Sequence, residues 1–130
     1  MRRDVHLAVV QPPAVGPTVS HDVMRDSALS LLNRAGDAGA DIICLPEYLN
    51  AMGQDDAFWQ APPPAHQQDL LGLVAELARR HATYVILPLL IGGASGNRNT
   101  ALLLDRKGTV VGSYDKTHLT AVERQDQGVQ

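Results

Sequence analysis

The chain has 130 residues, 45% of them hydrophobic and only 4% aromatic, with a net charge of −3 from 11 basic and 14 acidic side chains. That length holds one domain at most, built on an aliphatic core. The charges form no basic stripe of the kind nucleic-acid binding needs, no stretch approaches the roughly 20 apolar residues of a membrane span, and a single cysteine excludes an internal disulfide framework.

The apolar run Leu7 to Val10 is too short for a secretory h-region and is stopped by Gln11-Pro12-Pro13. The chain therefore reads as soluble and cytoplasmic. Val5 to Gln11 is the first predicted strand, followed by a loop through Pro12, Pro13, Gly16 and Pro17. Ser20 is placed to cap a helix, with Asp22 and Asp26 near its positive end. Met24, Ala28, Leu31, Leu32 and Ala35 fall on one helical face, and Gly36 and Gly39 offer stops. Asp41 to Pro46 is the second strand, apolar on both faces as in a strand covered on both sides. Residues 50–66 read as irregular, with Ala61-Pro-Pro-Pro-Ala65 unable to form a helix interior. Phe58 and Trp59 in that segment suit either a pocket wall or plain hydrophobic packing.

Leu70, Val74, Leu77, Ala78 and His81 mark a second amphipathic helix, ending in Arg79-Arg80-His81 where cations favour a C-terminus. Three strands follow: Tyr84 to Ile91, Asn99 to Leu104 and Thr109 to Asp115, separated by turns at 92–97 and 105–108. The order is β-α-β-α-β-β-β, an α/β pattern. Residues 124–130 carry no terminating element, so the chain reads as stopping within a domain.

Two charged residues stand at strand ends, where functional groups of open α/β folds collect. Glu47 follows Asp41-Ile-Ile-Cys-Leu-Pro46, and Lys116 follows the strand that ends at Asp115. A carboxylate and an ammonium brought together there suit a general base and an oxyanion stabiliser. Taken singly, each is equally an exposed charge just past a strand. Glu123 either orients the Lys116 ammonium or is a surface charge. Strand parity sets Ile43, Leu45 and Glu47 on one side and Ile42 and Cys44 on the other. Cys44 is thereby expected to be buried, structural and turned away from Glu47. On the last strand, Lys116 shares a face with Tyr114 and His118. The five histidines are scattered without metal-ligand spacing. Gly92 to Gly96 lacks the Lys-Ser/Thr ending of a phosphate loop, and no dinucleotide fingerprint occurs.

Leu45-Pro-Glu-Tyr48, Asn97-Arg-Asn-Thr-Ala101 and Tyr114-Asp-Lys-Thr-His-Leu119 stand in that order behind an opening strand ending Val10-Gln11-Pro12. As an ordered set they resemble the nitrilase, or carbon–nitrogen hydrolase, superfamily. The resemblance covers the whole chain but only the N-terminal portion of such a domain. It implies an α-β-β-α sandwich and hydrolysis of a non-peptide C–N bond in a small amide, carbamoyl or nitrile substrate. It also implies a Glu-Lys-Cys site without metal or cofactor. Glu47 matches the general base, Lys116 the lysine that stabilises the tetrahedral intermediate, and Glu123 a second, positioning glutamate of some members. Asp115 departs from the arginine often found there.

The family's nucleophilic cysteine lies a few tens of residues beyond the lysine, past position 130. The 130-residue chain alone is therefore expected to be inactive and, as half a sandwich, to associate, with itself in a homo-oligomer or with a partner. The rival reading is a non-catalytic α/β fragment acting through such association.

Overall fold

The computed structural model describes residues 4–13, 19–125 and 128–130. Five strands form one sheet in the order β1-β2-β3-β4-β5. They are β1 (Leu7–Val9), β2 (Ile42–Cys44), β3 (Tyr84–Ile91), β4 (Arg98–Leu104) and β5 (Val110–Asp115). The first three run parallel and the last two pair antiparallel by hairpins. Helix α1 (His21–Asp37) crosses from β1 to β2. A short helix α2 (Asp56–Gln60) and a long one, α3 (Pro64–His81), cross from β2 to β3, and α4 (Ala121–Gln125) follows β5.

Both long helices lie on the same face of the sheet, because each carries one apolar stripe that the sheet can cover. Ala28 and Leu32 of α1 and Leu70, Val74 and Ala78 of α3 pack with Ile43, Leu45, Val85, Leu87, Leu102 and Leu104. Gly36 does not stop α1. It lies within the helix, against the His81 ring, where a Cβ would stand 2.3 Å from the imidazole. The stop comes at Gly39, in the left-handed region at φ 80°.

The opposite face has no covering layer among the described residues. Strand pairing aligns Val9, Cys44, Ile86, Leu103 and Gly112 in one row across all five strands. Val9 and Leu7 are largely exposed. The expectation that β2 is covered on both sides thus holds here for one side only.

Two further expectations are corrected. The segment 50–66 is not irregular throughout. Asp55 caps α2 by accepting from the Phe58 N–H at 2.9 Å, and Phe58 is buried with Tyr48, Ala51 and Leu90. Pro64 opens α3 at a position where its missing N–H costs nothing. The C-terminal stretch is not featureless either. In Thr120-x-x-Glu123 the Glu123 N–H donates to Thr120 Oγ1 at 3.2 Å, and the Thr120 N–H donates to Glu123 Oε2 at 2.7 Å. This reciprocal capping box starts α4. Val129 then pairs with Asn97 in a parallel bridge. Gly16 and Pro17 of the predicted loop lie outside the described residues.

Candidate active site

The segment after β2 is pinned to β3, and this places Glu47. The Leu45 N–H donates to the Ile86 carbonyl and the Leu49 N–H to the Pro88 carbonyl. The buried Asn50 amide exchanges hydrogen bonds with both backbone groups of Leu90, at 2.8 and 2.9 Å. Between these anchors Tyr48 takes φ 56°, a left-handed conformation rare for a bulky residue. Such strain persists only where surrounding contacts over-determine it. Here the Tyr48 ring packs edge-on to Trp59 and its hydroxyl is bonded.

Lys116 lies one residue past β5. Its N–H donates to the Asn99 carbonyl at 2.8 Å, which continues the β4–β5 ladder and sets the two side chains together. Lys116 Nζ donates to Glu47 Oε1 and to Glu123 Oε1, each at 3.0 Å. Asn99 Nδ2 reaches the same two oxygens at 2.7 and 3.0 Å. The Tyr48 hydroxyl donates to Glu123 Oε1 at 2.5 Å.

The two carboxylates differ in setting. Glu123 is 4% exposed, whereas the Glu47 side chain is 55% exposed. Burial alone would raise the Glu123 pKa. The donors Tyr48, the Thr120 N–H, Lys116 and Asn99 outweigh burial and hold the carboxyl well below the usual range. Lys116 is shifted up, first by Glu123 and then by Glu47, so the ammonium is firmly charged. Burial, then donation to Glu123, pushes the Tyr48 hydroxyl up and keeps it protonated.

Glu47, Asn99, Lys116 and Tyr114 border an open cleft of about 330 Å³, floored by Pro88, Ala101 and Cys44. Cys44 does not face away from Glu47. It is half-buried and lines the same cleft, its thiol donating to its neighbour's carbonyl, Leu45 O, at 3.6 Å. The strand ends at Cys44 and a turn begins at Glu47, so strand parity does not extend to Glu47.

His118 does not join Lys116. It is exposed, paired with the Thr117 hydroxyl at 3.0 Å. Trp59 and Phe58 pack beside Tyr48 and line no wall of this cleft. Asp115, the departure from the expected arginine, accepts from Thr100 Oγ1 at 2.6 Å and pairs with Arg98 at 3.4 Å. Among the described residues no group of three or more metal-ligating side chains is found, and no helix is long and apolar enough to cross a membrane.

Sequence reasoning named Glu47, Lys116 and Glu123 and missed the parts played by Tyr48 and Asn99. The capping box at Thr120 was the readable signal that Glu123 is anchored at a helix start.

The family model for carbon-nitrogen hydrolases matches residues 6–129. Among solved structures, a variant of the amidase from Nesterenkonia sp. AN1 bears acrylamide at its active-site cysteine. It aligns at 20% identity and a TM-score of 0.77, over 97% of this chain and 49% of that one. A carbon–nitrogen hydrolase from Helicobacter pylori G27 aligns at 16% identity and TM-score 0.73, over 97% and 44%. The NitFhit protein of C. elegans aligns at 22% and 0.66, over 95% and 32%. The fold is thus shared with these proteins, and the chain spans half their length or less.

Proposed function

Because the chain belongs to the carbon–nitrogen hydrolase family, we propose that it carries the base and the cation of an amidohydrolase site acting on small amide, carbamoyl or nitrile groups. The observation that carries this reading is the Lys116 ammonium, 3.0 Å from each of two carboxylates at the rim of the cleft. In this reading Glu47, the exposed carboxylate, takes a proton from an attacking thiol. It returns the proton to the leaving amine and later activates the hydrolytic water. Lys116 stabilises the charge that develops on the substrate oxygen or nitrogen. Glu123 keeps the ammonium charged and in place.

The thiol forms a thioester and is released by water, dividing one hard step into two. Cys44 Sγ is bonded to Leu45 O rather than to Glu47 or Lys116. The attacking thiol is accordingly assigned to a segment outside these 130 residues, and the chain alone is expected to be inactive. The matched amidase has an active-site cysteine of its own.

The test is to assay small amides, carbamoyl amino acids and nitriles with the 130-residue chain and with the continuous polypeptide read from its gene. Turnover by the latter alone, abolished by Glu47→Gln or Lys116→Ala, supports the reading. Turnover by the 130-residue chain that vanishes on Cys44→Ser would make Cys44 the nucleophile and overturn the assignment.

A second reading is favoured by the open sheet face, whose row of apolar side chains suits a fragment that works through association. Sedimentation distinguishes it. A strictly monomeric chain at about 100 μM, well above the μM dissociation constants of ordinary specific complexes, would count against self-association.

A further inference from the structure

We propose that Asn99 is the positioning residue that selects which oxygen of Glu47 serves as the base. The proposal rests on the reading of Glu47 given above and adds an atom-level assignment to it. Asn99 is 6% exposed. It is the second residue of β4, and its own carbonyl accepts the Lys116 N–H. Its side-chain nitrogen lies 2.7 Å from Glu47 Oε1 and 3.0 Å from Glu123 Oε1. An amide nitrogen has two N–H groups, and here two acceptors meet it, so its donor capacity is matched. The reverse orientation would aim the amide oxygen at two carboxylates, so the network fixes which atom is nitrogen.

Glu47 Oε1 therefore accepts from both Asn99 and Lys116. No donor among the described residues is paired with Oε2. The lone pairs of Oε1 are occupied, and Oε2 is the oxygen left to accept a proton. Lys116 alone would not impose this choice. An ammonium is a near-spherical charge with rotating donors, and either oxygen of an exposed carboxylate satisfies it. The amide is planar, short and held by a strand, so it fixes the rotation of the Glu47 carboxylate. Being uncharged, it does so without neutralising the base. Aspartate at this position would keep the shape, remove both donors and set a third carboxylate beside two others. Glutamine would displace the donors by a methylene.

The test is solution NMR of the 130-residue protein with labelled asparagine side chains. Asn99 is assigned by the loss of its signal in Asn99→Asp. Rotation about the amide C–N bond is slow, so its two protons are resolved. Both are expected to exchange with solvent at least about tenfold more slowly than a free asparagine amide, as bonded protons do. In Glu47→Ala one proton should lose this protection while the other, bonded to Glu123, keeps it. An asparagine held by Glu123 alone would not respond to this substitution. Free-amide exchange of both protons in the unsubstituted protein, or no change in either on Glu47→Ala, overturns the proposal. If Glu47→Ala fails to fold, Glu47→Leu carries the same test, since it fills a similar volume and has no oxygen to accept from Asn99. Neither readout needs turnover. An inactive protein leaves the proposal standing, and loss of protection leaves the hydrolase reading standing.

Discussion

Leu87 and Ile86 are neighbours on β3, yet they belong to two different regions of the molecule. Leu87 is completely buried under α1 and α3. Ile86 looks the other way, onto the open face, where it lines an apolar depression with Leu103 and Tyr114. The helix-covered face has its packing partners within this chain. The open face has the charged cluster: Glu47, Lys116 and Asn99 border a cleft floored by side chains of that same face. The packed core and the proposed site are thus divided between the two sides of one sheet. A covering layer on the open side would close the cleft and strengthen every charge interaction at its rim by excluding water.

The division is broken most directly by paired truncations. Leu87→Ala on the covered face should cost about 2–5 kcal/mol, as large-to-small changes at fully buried sites do. Leu103→Ala on the open face, 36% exposed, should cost less than about 1 kcal/mol. Urea unfolding monitored by the single tryptophan measures both. Equal costs would mean that the open face is covered in solution.

A similar contrast separates the two carboxylates. Glu123→Leu leaves Tyr48, Asn99, the Thr120 N–H and Lys116 without their shared acceptor. It should destabilise by about 1–3 kcal/mol, the usual cost of stranding buried polar groups. Glu47→Gln, at an exposed position, should stay within about 0.5 kcal/mol. A Glu47 variant as costly as the Glu123 variant would show that the site is a structural clasp.

The pH dependence sharpens the same point. The Glu123 pKa is depressed in the folded state, from an ordinary value of 4.5. Its contribution is therefore fully present above that value. It is lost as pH falls below it, because the unfolded chain takes up the proton first. Denaturation midpoints should drop more steeply below pH 4.5 in the unsubstituted protein than in Glu123→Gln. Parallel curves would remove Glu123 from the account.

Periodicity made α1, α3 and the last three strands legible, because each has enough residues for a 3.6- or 2-residue repeat to show. Five-residue helices have no such repeat. The starts of α2 and α4 are written only in caps, Asp55 and Thr120-x-x-Glu123. Glu47 and Lys116 were readable because each directly follows an apolar strand. The role of Asn99 is not legible within Asn97-Arg-Asn-Thr-Ala101, since its partner Glu47 lies 52 residues away and is met only through the β3–β4 pairing. Cys44 was misplaced because alternation was carried past the end of a three-residue strand.

Cys44 also supplies the smallest and most local test. It sits in the middle of the open face, in the row that runs from Val9 to Gly112. Its labelling rate is compared between protein concentrations, where what changes is access to that face. As the half-buried floor of an open cleft, it should react with a small thiol reagent within about tenfold of a free thiol at the same pH. A concentration series then separates two causes of any slowing. Protection that grows with protein concentration means that copies of the chain cover the face. Protection that persists at high dilution means that the chain covers the face itself, and the division between a packed and an open side would not exist in solution.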